Sequence, residues 1–257
     1  MSKLTVSVVL VIVPFLCSVV QAQTCVDPAS LAESTVSIVR TFDEKERNAR
    51  ISRASGLRLS PKKIATLEHV ANGMGLSKVA WTKVVLRQEL GAHTNNWVEV
   101  HTFVRVKHIV HTGAHENIYI LELSQPNGSV TAPRIRTTVP REKEPLVAVG
   151  YPGGKLRTGF GNFVRIGTFD KDGDYAGMSL VELSDGNDRR VFGRGASGGP
   201  AYDCQGYVVG LISRQILTFN AHLRIGLGNF ELLLTTAPGE PNSALVSAAT
   251  LKNIPLD

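Results

Sequence analysis

The chain has 257 residues, with 28 Lys and Arg against 22 Asp and Glu, which gives a formal net charge of +6 at neutral pH. A chain of this length can bury a sizeable core, either as one large all-β domain or as two small ones. The basic excess is mild and contains no dense Lys/Arg run interleaved with aromatic residues, which favours a basic solvated surface over a nucleic-acid-binding footprint.

The N-terminal segment has the composition of a secretory signal peptide. Lys3 precedes an uncharged apolar stretch from Leu4 to Val20, and Val20-Gln21-Ala22 supplies a small-x-small cleavage site. We expect residues 1–22 to be removed before Gln23, leaving a secreted or periplasmic chain of residues 23–257. A transmembrane anchor is the alternative, but the apolar stretch is short for a membrane span and contains Pro14. No membrane association is expected after cleavage.

The cysteines fit an exported protein. Cys17 lies in the signal peptide, which leaves Cys25 and Cys204 as an even pair in an oxidising compartment. We predict a disulfide between them, with two free thiols as the alternative.

Short β-rich runs separated by turn residues dominate the mature chain, at barrel-like spacing. A single helical turn is predicted around Leu67–Ala71, and a C-terminal helix over about 243–252, stopped by Pro255. Residues 131–145 carry three prolines and no alternation, and they predict a connector between β units at about 30–130 and about 146–240. The predicted strands are Thr35–Val39, Gly56–Leu59, Val79–Leu86, Trp97–Val106, Ile118–Leu123, Leu146–Val149, Phe163–Phe169, Gly177–Leu183 and Tyr207–Ile212.

One glycine-rich turn has the composition of a nucleophile site. In Gly195-Ala196-Ser197-Gly198-Gly199-Pro200 the backbone is nearly bare around one serine hydroxyl, so successive N–H groups can converge on an anion. An ordinary turn between strands is the alternative. A serine nucleophile requires a general base, and His69 beside the predicted helical turn is the best candidate.

Two other clusters are interpreted as structural. His101, His108, His111 and His115 lie in or between strands without a closed metal-ligand spacing, so no metal site is predicted. The segment 170–174 begins like a calcium loop, but Tyr175 stands where that loop requires Gly, which favours a solvated hairpin turn. No cofactor is expected.

Segments of the chain resemble the trypsin-like, chymotrypsin-fold serine protease superfamily. Thr66-Leu67-Glu68-His69 is similar to its TAAH motif, and Gly195–Pro200 is similar to GDSGGP with Ala196 in the Asp position. Asn117–Leu123 resembles the family's DIALLKL strand. Few cysteines and Gly150-Tyr151-Pro152-Gly153 are closer to the HtrA-like and V8-like branches, although no PDZ-sized segment follows. The resemblance implies an all-β fold of two antiparallel six-stranded barrels and a peptide or protein substrate.

The resemblance also implies roles for individual residues. Ser197 becomes the nucleophile, His69 the general base, and the amides of Gly195 and Ser197 the oxyanion hole. The family's third triad residue, an Asp, falls on Asn117. An amide supports the imidazole less well than a carboxylate, so we expect either a weakened serine endopeptidase or, as the alternative, a pseudoprotease that binds peptides without cutting them. Glu116 could replace Asn117 only through a bulge or a one-residue register shift, because neighbouring strand residues face opposite ways.

Activation and specificity are implied in the same way. Ala196 cannot form the carboxylate–N-terminus pair that zymogen-type relatives use, so no activation by propeptide cleavage is expected. The base of the substrate pocket falls on Val191 and its wall on Ser213 and Gln215. Because the pocket base is uncharged, small or apolar substrate side chains are expected there.

Overall fold

The structure is a computed structural model that describes residues 25–42, 51–77, 80–89, 97–185, 192–216, 221–226, 229–234 and 240–255. The predicted signal peptide, residues 1–22, lies outside the described residues. Within the described ranges, no helix is long and apolar enough to cross a bilayer.

The first half of the chain folds into a closed antiparallel barrel with the strand order β1-β2-β3-β6-β5-β4. The short strand β3 is buried along its whole length and contributes to the core. The long strand β5 alternates between exposed and buried or half-buried residues only over residues 99–104 and is mostly exposed towards its two ends. Helix α2 follows β3 without an intervening loop. The elements are α1 (Pro28–Ala32), β1 (Thr35–Thr41), β2 (Ile51–Ser60), β3 (Lys63–Leu67), α2 (Glu68–Gly73), β4 (Thr82–Glu89), β5 (Trp97–Val110) and β6 (Ile118–Leu123).

The second half forms another closed antiparallel barrel, with the strand order β10-β11-β14-β9-β8-β7. A separate two-stranded hairpin, β12-β13, is inserted between β11 and β14. The elements are β7 (Pro145–Gly150), a 3₁₀ turn (Pro152–Gly154), β8 (Arg157–Ile166), α3 (Phe169–Asp172), a 3₁₀ turn (Gly173–Tyr175), β9 (Ser179–Ser184), β10 (Pro200–Asp203), β11 (Val208–Gln215), β12 (Ala221–Gly226), β13 (Asn229–Leu234), β14 (Ser243–Ser247) and a 3₁₀ helix (Ala249–Asn253).

The predicted all-β class and the two six-stranded barrels are confirmed. The sequence prediction omitted β3, β10, β12, β13 and β14. β3 and β10 have only five and four residues. Each is fully buried, so neither displays the alternation of polar and apolar residues that identifies a half-buried strand.

Two local predictions require correction. The short C-terminal helix is present at Ala249–Asn253, but Ser243–Ser247 is strand β14, which closes the barrel between β11 and β9. The segment 170–174 connects antiparallel β8 and β9 through helical turns rather than a tight hairpin turn. The predicted strand Phe163–Phe169 accordingly ends at Ile166. Asp172 stabilises these turns by accepting hydrogen bonds from Arg165 and from the Thr168 amide.

The ends of the second barrel are tied to neighbouring segments. Cys25 and Cys204 form the predicted disulfide across a sequence separation of 179 residues. Residues 124–144 join β6 to β7 with a single isolated bridge, Ile135 to Val208.

In this connector the guanidinium of Arg136 lies between the carboxylates of Glu144 and Asp203, which raises the pKa of Arg136 and lowers that of Glu144.

Candidate active site

The site lies where the two barrels meet. The first barrel contributes His69, on α2, and Glu116, in the turn before β6. The second contributes Ser197, just before β10, and Ser213, on β11. His69 and Ser197 together line two adjoining cavities of about 400 and 340 Å³. The two residues that the motifs single out are therefore brought into one cleft.

The imidazole of His69 is held by Glu116. Its Nδ1 atom contacts Oε1 of Glu116, and the backbone N–H of His69 lies 3.3 Å from the same oxygen. Glu116 is 3% exposed, while the His69 side chain is 38% exposed to the cleft. Burial alone would raise the pKa of Glu116, but its hydrogen bonds and charge interaction with His69, and the hydrogen bond from Ser213, lower that pKa overall.

Asn117 does not face His69. Its Nδ2 donates to Glu68 Oε2 at 2.9 Å, and its Oδ1 lies 3.2 Å from Nδ1 of His111. Asn117 therefore does not make the contact with His69 that the family resemblance implies for it, and Glu116 makes that contact in the structure. The alternation of side chains that argued against Glu116 applies within a strand, whereas both residues precede β6, which begins at Ile118.

Ser213 connects Glu116 to the glycine-rich turn Gly195–Pro200, which is called the nucleophile turn because the sequence predicts Ser197 as the nucleophile. Its hydroxyl donates to Oε2 of Glu116, and its carbonyl accepts the Ser197 hydroxyl at 3.0 Å. Ser213 sits where the β11–β14 register shifts, between Ile212 and Arg214. Such an irregularity redirects a side chain out of the ladder, which explains how a strand residue reaches across the interface between the barrels.

Ser55 on β2 anchors the nucleophile turn from the other barrel. Its Oγ accepts from the Tyr151 amide and donates to the Gly195 carbonyl, both at 2.8 Å. Its amide donates to the Ser197 carbonyl at 2.9 Å, and its own carbonyl accepts from Thr66 at 2.9 Å. Ser55 is completely buried. The sequence analysis did not identify this residue, because nothing in a Ser-Gly pair within a strand signals a contact 140 positions away.

The turn itself requires its glycines. Gly195 has φ +98°, a conformation that side chains disfavour. A Cβ at Gly198 would lie 2.2 Å from the Ser55 carbonyl oxygen, so no larger residue fits. The amides of Gly195 and Ser197 donate to no acceptor among the described residues, which leaves both available to an anion.

Ala196, in the turn before β10, and the described N-terminal end make different contacts with the second barrel. Ala196 is buried, and its carbonyl accepts from the Gly199 amide at 2.9 Å. At the described N-terminal end, Val26 donates to the Cys204 carbonyl at 3.2 Å, beside the disulfide.

The predicted substrate pocket is described in part. Val191 lies outside the described residues. Ser213 and Gln215 line the larger cavity, whose inner wall is formed by Phe192 and Ile212, which are 4% and 2% exposed.

Comparison with known proteins agrees with the two-barrel fold. The family model described as "Trypsin-like peptidase domain" matches residues 54–211, which include Glu116, His69 and Ser197. The chain belongs to the trypsin-like peptidase family. No curated protein sequence matches the chain.

Solved structures share the fold of this peptidase domain at low sequence identity. The active form of the Rv3671c protease from M. tuberculosis is 14% identical with a TM-score of 0.54, and the match covers 88% of this chain and 80% of that one. The serine endoprotease from Yersinia pestis is also 14% identical with a TM-score of 0.54, covering 87% and 61% of the two chains. Deg5 is 13% identical with a TM-score of 0.51, covering 71% and 80%.

Proposed function

We propose that the protein is a serine endopeptidase in which Ser197 is the nucleophile, His69 the general base and Glu116 the residue that orients the base. The observation that carries the proposal is the contact of the buried Glu116 carboxylate with Nδ1 of His69. A carboxylate only accepts hydrogen bonds, so it fixes the proton on Nδ1 and leaves Nε2 free to take the serine proton.

The chemical steps follow from these roles. The Ser197 hydroxyl attacks the scissile carbonyl while His69 accepts its proton, and the amides of Gly195 and Ser197 stabilise the oxyanion. His69 then returns the proton to the leaving amine, and water releases the acyl group by the same route. Glu116 stays ionised and stabilises the imidazolium, consistent with its lowered pKa.

The pseudoprotease alternative loses one of its two supports. It rested on an amide behind the base and on Leu67-Glu68 in place of the two alanines of the family motif, and the amide of Asn117 pairs with Glu68 instead. The prediction of weakened activity also rested on Asn117 as the partner of His69. We therefore propose a Ser-His-Glu triad without the penalty of an Asn partner.

We also propose that the enzyme is exported and acts outside the cytoplasm. The disulfide between Cys25 and Cys204 supports this, because such bonds persist in oxidising compartments. The N-terminal sequence supports it independently through its signal-peptide pattern.

The test of the activity is labelling with a fluorophosphonate probe, together with hydrolysis of an internally quenched peptide library. We expect the mature protein to be labelled and to cleave peptides, and Ser197→Ala to do neither. Absence of both labelling and cleavage in the folded wild-type protein would contradict the proposal.

A further inference from the structure

The smaller of the two cavities beside Ser197 has a cationic rim. Arg53 and Arg194 both line it, and its lining residues include no Asp or Glu. Both arginines are exposed, and neither forms an ion pair with a carboxylate among the described residues. Because isolated positive charges at a cleft attract and orient anionic groups, the cavity favours a ligand that carries a carboxylate.

One turn positions both arginines. The amide of Gly153 donates to the Arg194 carbonyl at 2.9 Å, which fixes the backbone of Arg194 against the turn Pro152–Gly154. The side chain of Arg53 lies along the same turn, since a Cβ at Gly154 would be only 3.0 Å from its Cδ. The two cationic side chains therefore belong to one arrangement rather than to unrelated surface positions.

The opposite wall of the cavity is apolar. Val70 and Met74, on and just after α2, line it and are 5% and 1% exposed. An apolar wall facing a cationic rim matches a side chain with an aliphatic stem and an anionic end, which is the chemistry of glutamate.

The position of the smaller cavity relative to Ser197 indicates that it binds substrate residues on the leaving-group side of the scissile bond. The larger cavity contains Ser213 and Gln215, where the family resemblance places the pocket for the residue whose carbonyl is attacked. The smaller cavity extends from Ser197 and His69 in the other direction, along α2 and β2. It therefore receives the residues on the leaving-group side.

The larger cavity offers a weaker cationic environment. Arg194 borders both cavities, and Arg214 lines the larger one, but Nη1 of Arg214 lies 3.7 Å from Oδ2 of Asp174, so its charge is already partly balanced. Arg53 lines the smaller cavity and not the larger one. The inner wall of the larger cavity is apolar. Acidic selection is therefore expected on the leaving-group side in particular.

We propose that this cleft selects substrates with an acidic residue, preferentially glutamate, at one of the first two positions on the leaving-group side of the cleaved bond, and that Arg53 and Arg194 determine this selection. The inference rests on the proposed peptidase function. It predicts a specificity that the apolar pocket on the acyl side does not supply.

The experiment uses matched peptides that carry Glu or Gln at each position flanking one cleavable bond. For the wild-type protein we expect kcat/KM about fivefold higher for Glu than for Gln on the leaving-group side, as for one or two exposed ion pairs. The ratio should fall towards one in Arg53→Gln, in Arg194→Gln and at raised NaCl concentration. Arg141→Gln, an exposed connector arginine outside both cavities, is the matched control and should keep the ratio.

A binding measurement separates this inference from the proposed catalysis. In Ser197→Ala, fluorescence anisotropy with a labelled Glu peptide and its Gln counterpart reports affinity without turnover. Tighter binding of the Glu peptide that is lost when Arg53→Gln or Arg194→Gln is added to Ser197→Ala supports the inference. This result would stand even if the wild-type protein cleaved no peptide, in which case only the proposed peptidase function would fail. Equal affinities, or a Glu preference confined to the acyl side, would overturn the inference.

Discussion

The Nδ1 atom of His69 contacts the buried carboxylate of Glu116, and the neighbouring Asn117 turns away to Glu68. The first prediction concerns this pair. Glu116→Gln should lower kcat by about three to four orders of magnitude with a small effect on KM, because an amide can hold the wrong imidazole tautomer and does not neutralise imidazolium. Steady-state kinetics on a quenched peptide measures it. Asn117→Ala is the control and should remain within a few-fold of the wild-type protein.

The second prediction uses Asn117→Asp to separate the two assignments. If Asn117 stood behind the base, restoring the family's Asp would raise activity. The structure instead places a new carboxylate next to Glu68, where Nδ2 of Asn117 is 2.9 Å from Oε2. We expect unchanged kcat and a stability loss of up to about 1 kcal/mol from like-charge repulsion, measured by urea unfolding. A marked gain in kcat would contradict the assignment of Glu116 and indicate that residue 117 is the third member of the triad.

The third prediction concerns the anchor of the nucleophile turn. Ser55→Ala removes the acceptor of the buried Tyr151 amide and the donor to the Gly195 carbonyl. Leaving such groups unpaired costs about 1 to 3 kcal/mol, and the oxyanion donors lose a fixed support. We expect a lower Tm and a fall in kcat at nearly unchanged KM.

Ser37→Ala is the matched control for Ser55→Ala. Ser37 is also a completely buried serine of the first barrel, but its Oγ has no hydrogen-bond partner among the described residues. Its replacement should leave Tm and kcat unchanged or raise Tm slightly. Equal changes in Tm and kcat for Ser55→Ala and Ser37→Ala would contradict the proposed anchoring role of Ser55.

The fourth prediction is the pH dependence that Glu116 contributes to stability. Its pKa is lowered in the folded state, so its ionised form stabilises the fold above the unfolded pKa, and this contribution is lost as the pH falls through the folded value. The free energy of unfolding of the wild-type protein should therefore decrease relative to that of Glu116→Gln between about pH 5 and pH 3. Chemical denaturation across this range measures the difference. A constant difference would contradict the lowered pKa.

The fifth prediction concerns the disulfide. Replacing Cys25 and Cys204 together by serine should lower the free energy of unfolding by about 2 to 5 kcal/mol, because the bond closes a long loop of 179 residues in the unfolded chain. Urea unfolding of the oxidised wild-type protein and the double variant measures this. Reduction of the wild-type protein should reproduce the loss of stability. Fluorophosphonate labelling of Ser197 should be retained in the reduced wild-type protein and in the double variant.

Local sequence was sufficient for the parts of the site that are contiguous. The glycine-rich turn predicted Ser197 and its oxyanion amides because a bare backbone around one hydroxyl is itself the chemical requirement. The helical turn predicted around Leu67–Ala71 is present as α2, although the strand β3 that leads directly into it was not predicted. The alternating and apolar runs likewise predicted an all-β fold, since residue periodicity reflects burial on a sheet.

The tertiary structure decided which groups meet. Glu116 and Asn117 are adjacent in sequence, and only the path of the turn before β6 determines which of them faces His69. Ser55 and Ser213 are ordinary strand residues until the barrels pack, when one reaches Gly195 and the other reaches Glu116. The pairing of Arg53 with Arg194 around one cavity has the same origin. The sequence by itself thus predicted Ser197 as the nucleophile, His69 as the base and the class of fold, because the turn composition, the family motifs and the strand pattern are each contiguous in the chain. The carboxylate behind the base, the support of the oxyanion turn and the charge of the cleft depend on contacts between distant segments, which exist only after the two barrels come together.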